Sequence, residues 1–125
     1  MPTDPTTLAH TETPGYVSGS GGSVTQATSA STGVTLSTKC GKITTVALTT
    51  AAAAEEAFVV TNTKVSTTSV VAVSITGYAG AGTPLAFVKT VSSGAFTLAL
   101  TNLHASDALN AAVSINFVVL EAPTS

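Results

Sequence analysis

Arginine and tryptophan are absent from this 125-residue chain, and charged residues make up only 8% of it. The lysines, Lys39, Lys42, Lys64 and Lys89, are scattered, and the formal net charge is −2. No basic footprint for a nucleic-acid backbone results, so nucleic acid is not expected as a partner. Cysteine occurs once, at Cys40, which excludes an intrachain disulfide. A small thiol on a strand reads as a buried apolar residue, and no neighbouring histidine activates it. No apolar run approaches the roughly 18 residues of a membrane helix, the Ala51–Ala54 tract being far too short, so no membrane is expected either. Met1 to Gly22 offers neither a basic n-region nor an apolar h-region and does not read as a secretory signal, which points to assembly in a cytoplasm.

What remains is 44% hydrophobic, chiefly Val, Ala and Leu interleaved with Thr and Ser. β-Branched Val and Thr suit a pleated, half-buried surface, whereas the strong helix formers Lys, Glu, Gln and Arg are scarce or missing, so the composition predicts strands. The length predicts one domain, large enough to bury a core without disulfides or metal. Met1 to Gly22 stands apart: Pro2, Pro5 and Pro14 fall there among Thr and Gly, with few apolar side chains. Such a stretch favours extended backbone and reaches up to roughly 70 Å when fully drawn out.

From Gly22 onward the pattern is short apolar–polar runs punctuated by Gly, Ser, Thr and Asn, the signature of an all-β sandwich or barrel. Seven or eight strands are predicted, near Ser23–Ala27, Gly33–Leu36, Gly41–Leu48, Ala57–Asn62, Ser69–Thr76, Leu85–Val91, Ala95–Asn102 and Ala111–Glu121. Alternation is clearest in the last two, where Phe96, Leu98 and Leu100 oppose Thr97, Ala99 and Thr101, and Val113, Ile115, Phe117 and Val119 oppose Ser114, Asn116 and Val118. Val118, Val119 and Leu120 make the last strand apolar on both faces, which predicts a central position or a covered outer face. The expected architecture is a single jelly-roll-like β-sandwich over residues 23–125, preceded by an extended arm over residues 1–22.

The chain also resembles itself at an offset of 40 residues. Thr61-Asn62 through Ser66 to Ala72-Val73-Ser74-Ile75 aligns without gaps on Thr101-Asn102 through Ser106 to Ala112-Val113-Ser114-Ile115. The expectation is one hairpin used twice, with Asn tolerating the turn conformation at each strand end.

Little here supports chemistry. His10 and His104 are the only imidazoles, and neither lies in a two-histidine motif or near a cysteine pair, so no metal site is expected. His104, Ser106 and Asp107 are close in sequence, but Ser106 lacks the glycines of a nucleophile elbow. Glu55 and Glu56 are adjacent and do not share one face as paired catalytic carboxylates must; they read as a solvated loop. The glycine-rich stretches at Gly15–Gly22 and Gly77–Gly82 are followed by neither a Lys-Ser or Lys-Thr pair nor a helix, so they are not phosphate cradles. Gly77–Gly82 reads as an inter-strand loop presenting Tyr78 as an exposed aromatic. With only Tyr16 and Tyr78 as tyrosines, a face of aromatic platforms for glycans is not evident. No catalytic residue and no cofactor are expected.

Gly21-Gly22-Ser23-Val24-Thr25-Gln26-Ala27-Thr28-Ser29, then Ser31-Thr32-Gly33-Val34-Thr35-Leu36 and Cys40-Gly41-Lys42-Ile43-Thr44, resemble a family of small proteins and domains encoded by tailed phages and prophages. Phe58–Asn62, the Gly80–Thr83 loop, Ala99–Asn102 and Ile115–Leu120 are similar too, so the likeness spans about Tyr16 to Ala122. It departs in the first loop of the repeat and around Ser106–Ala108, and it does not cover the arm before Tyr16. The resemblance implies a virion-associated β-sandwich without catalytic residues. With its arm, a separately encoded chain of this size looks like a capsid decoration or cement protein of a phage head. That role implies the major capsid protein as partner, a capsid-surface location after assembly in the host cytoplasm, and a trimer or dimer. A tail-fibre, baseplate or receptor-binding domain is the alternative role. The candidate partner contacts are Pro2, Pro5, Leu8, Pro14, Tyr16 and Val17 in the arm and Tyr78 in its loop.

Overall fold

A computed structural model describes residues 15–124. Eight strands are present: β1 (Gly21–Thr25), β2 (Val34–Thr35), β3 (Cys40–Thr44), β4 (Glu55–Thr61), β5 (Ser69–Gly77), β6 (Pro84–Ser92), β7 (Ala95–Asn102) and β8 (Ser114–Glu121). They form two four-stranded sheets, one ordered β1-β3-β8-β5 and the other β2-β4-β7-β6. The chain is thus an all-β sandwich, and every predicted strand has its counterpart.

Alternation explains which faces turn inward. On β7, Phe96, Leu98 and Leu100 are buried, and on the last strand Ile115, Phe117 and Val119 are buried, with Val113 just before it. Together with Phe58, Val60, Ile43 and Leu48 they form one core between the sheets. The rings of Phe96 and Phe117 meet across that core at 5.7 Å between centroids and a 57° tilt, within the range aromatic pairs prefer. β8 lies between β3 and β5, the central position its two-sided apolar sequence predicts. β3 ends at Thr44 rather than Leu48, because the chain turns away from the sheet while Thr45 and Leu48 still donate N–H bonds to the Val113 and Ala111 carbonyls.

The repeat takes a different form from the hairpin predicted. Thr61-Asn62 leads from β4 in one sheet to β5 in the other, and Thr101-Asn102 likewise leads from β7 to β8. Both are arches crossing between sheets. β4 pairs with β7 and β5 with β8, and in those pairings Phe58 lies opposite Leu98 and Ile75 opposite Ile115. Each of these opposed pairs is separated by the repeat offset itself, as a local two-fold axis through the sandwich requires. The backbone agrees, for Asn62 N–H donates to the Gly94 carbonyl and Asn102 N–H to the Ala54 carbonyl, acceptors separated by the same offset.

Candidate functional site

The sequence candidates divide by location. Pro2, Pro5, Leu8 and Pro14 lie outside the described residues. Tyr16 and Val17 are described and exposed, Tyr16 at 42% and Val17 at 79%. The Tyr16 hydroxyl donates to the Val119 carbonyl at 2.6 Å. Val119 N–H bonds toward Lys39 just ahead of β3, and in a strand the N–H and C=O of one residue point the same way. Tyr16 therefore fills the bonding position that β3 leaves open by starting only at Cys40. β1 begins at Gly21, so Gly21 and Gly22 are strand residues, and Tyr16 touches the same sheet through its hydroxyl.

Tyr78 corrects another expectation. It is half-buried and packs against the core cluster, its hydroxyl donating to the Ala81 carbonyl and accepting from Asn110 N–H at 3.1 Å. Loop composition suggested exposure, but the ring closes the end of the sandwich and its polar tip is satisfied internally. Gly77 pairs with Ser114 at the start of β8, so Tyr16 and Tyr78 sit at opposite ends of that sheet and form no common site.

Glu55 and Glu56 also differ from prediction. They open β4 rather than lying in a loop, and Glu55 reaches across β7 to the Lys89 ammonium on β6. Both partners are substantially exposed, so the pair contributes little stability. His104, Ser106 and Asp107 do come together, but as a turn: Nδ1 of His104 accepts the N–H groups of Ser106 at 3.1 Å and Asp107 at 2.9 Å. That nitrogen is occupied by backbone donors and does not face the Ser106 hydroxyl as a general base would. Among the described residues, no cluster of three or more His, Cys, Asp or Glu side chains is placed to hold a metal ion.

The surface that remains is the outer face of the β1-β3-β8-β5 sheet, assembled from the strand registers. One row pairs Val70 with Leu120, the next runs Ala72, Val118, Cys40, Gly21, and the third runs Ser74, Asn116, Lys42, Ser23. Val70 and Leu120 are half exposed, at 49% and 50%. A shallow groove of about 250 Å³ lies between β5 and β8, lined by Ala72, Val73, Ser74, Asn116, Phe117 and Val118. Charge is confined to Lys42 and to the rim, where Lys39 Nζ stands 3.7 Å from Glu121. There the Glu121 carboxylate accepts hydroxyl bonds from Ser69 at 2.6 Å, Ser66 at 2.8 Å and Thr68 at 3.2 Å. Those hydroxyls, Ser69 first, together with Lys39, hold Glu121 below the usual carboxylate range. Sequence reasoning missed this face because it depends on which strands are neighbours, although the uncharged β5 and the two-sided apolar β8 were visible.

Fold and surface define an eight-stranded all-β sandwich with a neutral, partly apolar sheet face and a tyrosine tethering its N-terminal segment. In comparisons with known proteins, no family model, curated protein or solved structure matches the chain.

Proposed function

We propose that the protein is a virion component of a tailed phage, a decoration or cement protein that binds the outer surface of the head and acts by adhesion rather than chemistry. The observation that carries this reading is the neutral outer face holding Val70, Ala72, Val118 and Leu120, with the Tyr16 hydroxyl bonded to the Val119 carbonyl of the same sheet. Apolar contact and main-chain pairing, repeated over many copies on a symmetric shell, give strong attachment from weak single contacts. The resemblance of the Gly21–Ser29 and Cys40–Thr44 segments to phage-encoded sandwiches supports the same reading. The major capsid protein is then the partner, the capsid surface the location, and Pro2, Pro5, Leu8, Pro14, Tyr16 and Val17 the first contacts to examine.

Purified protein should co-sediment with empty heads of the phage that encodes it. Removing residues 1–14, which keeps Tyr16, should weaken that binding at least about tenfold while leaving the circular dichroism unchanged. Full occupancy by the truncated protein would remove the N-terminal residues from the contact. Absence from heads together with immunogold labelling of tails would replace this reading with a tail-fibre or baseplate role.

A further inference from the structure

The sandwich has four edge strands, and they are not equally protected. Exposed edges are normally blunted by short length, proline, charge or bulges, since their unpaired backbone groups invite another strand. β2 has two residues, and β1 has five beginning Gly21-Gly22. β6 starts at Pro84, carries exposed Lys89 and is bulged between Val88 and Thr90. β5 is nine residues long, SVVAVSITG, with no charge and no proline, and its single irregularity lies between Ile75 and Gly77 at its far end.

The direction of its free backbone groups follows from β8. Val119 N–H points toward β3, where it bonds Lys39, so the alternate residues Asn116, Val118 and Leu120 point toward β5. Their register partners Ser74, Ala72 and Val70 use their N–H and C=O groups on β8. Val71, Val73 and Ile75 therefore direct theirs away from β8, on the side along which β6 of the other sheet runs, and among the described residues none of these groups has a hydrogen-bond partner there. The side chains of the same three residues face the core, yet Val73 and Ile75 remain only half-buried.

We infer that β5 is a self-pairing edge whose occupant is β5 of a second copy, antiparallel about a two-fold axis at Val73. The sequence is close to palindromic for that arrangement. Val73 meets Val73 of the other copy, Val71 meets Ile75 in both directions, and all are β-branched, the favoured cross-strand pairing. No like charges oppose each other, because β5 has none. The outward groups of Val71, Val73 and Ile75 then all pair, giving about six hydrogen bonds. The dimer is isologous, and its two sheets become one of order β1-β3-β8-β5 continued by β5-β8-β3-β1 of the second copy. The outer-face patches of Val70, Ala72, Val118 and Leu120 from both copies become adjacent. This inference concerns self-association and holds whether or not the chain decorates a phage head.

The test is made on the full chain. Sedimentation equilibrium at about 100 µM should give twice the monomer mass, falling toward monomer on dilution, because a single strand pair lies at the small end of stable interfaces. Amide exchange of Val71, Val73 and Ile75 should slow at least about tenfold at high concentration and be fast at low concentration. Val73→Pro removes an edge-facing N–H, a position where proline is tolerated in a strand, and should leave a folded monomer. A wild-type chain that stays monomeric at about 100 µM, or a dimer in which those three amides exchange quickly at every concentration, would overturn the inference.

Discussion

Two arches carry the chain between the sheets, one after β4 and one after β7, and each is pinned by an asparagine with no exposed surface, Asn62 and Asn102. The innermost bond is the same in both. Oδ1 of Asn62 accepts Lys64 N–H at 2.9 Å, and Oδ1 of Asn102 accepts His104 N–H at 3.0 Å, the side-chain-to-backbone turn that asparagine makes readily. The surroundings differ. Asn62 adds one bond, from Nδ2 to the Thr38 carbonyl at 2.7 Å. Asn102 also accepts from Thr83 N–H and donates to the Thr50 and Asp107 carbonyls, joining two further segments to its own arch. A local repeat thus fixes the turn, while the tertiary context decides how much rests on it.

Replacing the asparagines separates the two contributions. Asn102→Ala strips four buried bonds and strands the Thr83 and His104 donors, and should destabilise the fold by about 3–5 kcal/mol. Asn62→Ala strips two and should cost about 1.5–3 kcal/mol. Urea unfolding with an unchanged slope measures both losses. Equal costs would mean that the shared turn, and not the surrounding wiring, sets the value of each arch.

Thr50 offers a smaller change beside the second arch. Its carbonyl serves Asn102, but its buried Oγ1 has no partner among the described residues. Thr50→Val keeps the shape, removes an unsatisfied oxygen and should raise stability by about 1 kcal/mol. A loss of similar size in urea unfolding would show that the hydroxyl is bonded in solution and that the second arch is more extensively wired still.

The strands were legible because each pattern is local. Phe96-Thr97-Leu98 and Ile115-Asn116-Phe117 declare a buried face within a few residues, and burial follows it. Crossing between sheets was not legible, since Thr-Asn at a strand end serves a hairpin and an arch equally well. The repeat offset held the missing information, but only the opposed pairs Phe58–Leu98 and Ile75–Ile115 convert it into a symmetry. Tyr78 and Glu55 were misread for a related reason: their partners Asn110 and Lys89 are distant in sequence and arrive through strand order. The glycines of the Gly21–Ser29 and Cys40–Thr44 segments serve packing between neighbouring strands. Gly22 pairs with Gly41 in the parallel β1–β3 ladder, and a Cβ on Gly41 would stand 2.8 Å from both the Gly22 carbonyl oxygen and Leu36.

The outer side of the first arch gives the smallest expected effect. Ser66, Thr68 and Ser69 belong to that arch, and Glu121 at the end of β8 gathers all three hydroxyls, whereas the second arch uses the His104 ring in its own turn. Because these bonds lower the Glu121 pKa from its ordinary 4.5, the unfolded chain binds the proton more readily than the folded one. The carboxylate's contribution is therefore complete above about pH 4.5 and is lost as pH falls through the lower folded value. Glu121→Gln should flatten the fall in thermal midpoint over that acidic window while changing the midpoint at pH 7 only slightly, since the group is exposed and water screens it. Wild type and variant that lose stability in parallel below pH 4.5 would show that the hydroxyl cluster does not hold the charged form in solution. The first arch would then rest on Asn62 and its backbone bonds without help from the carboxylate.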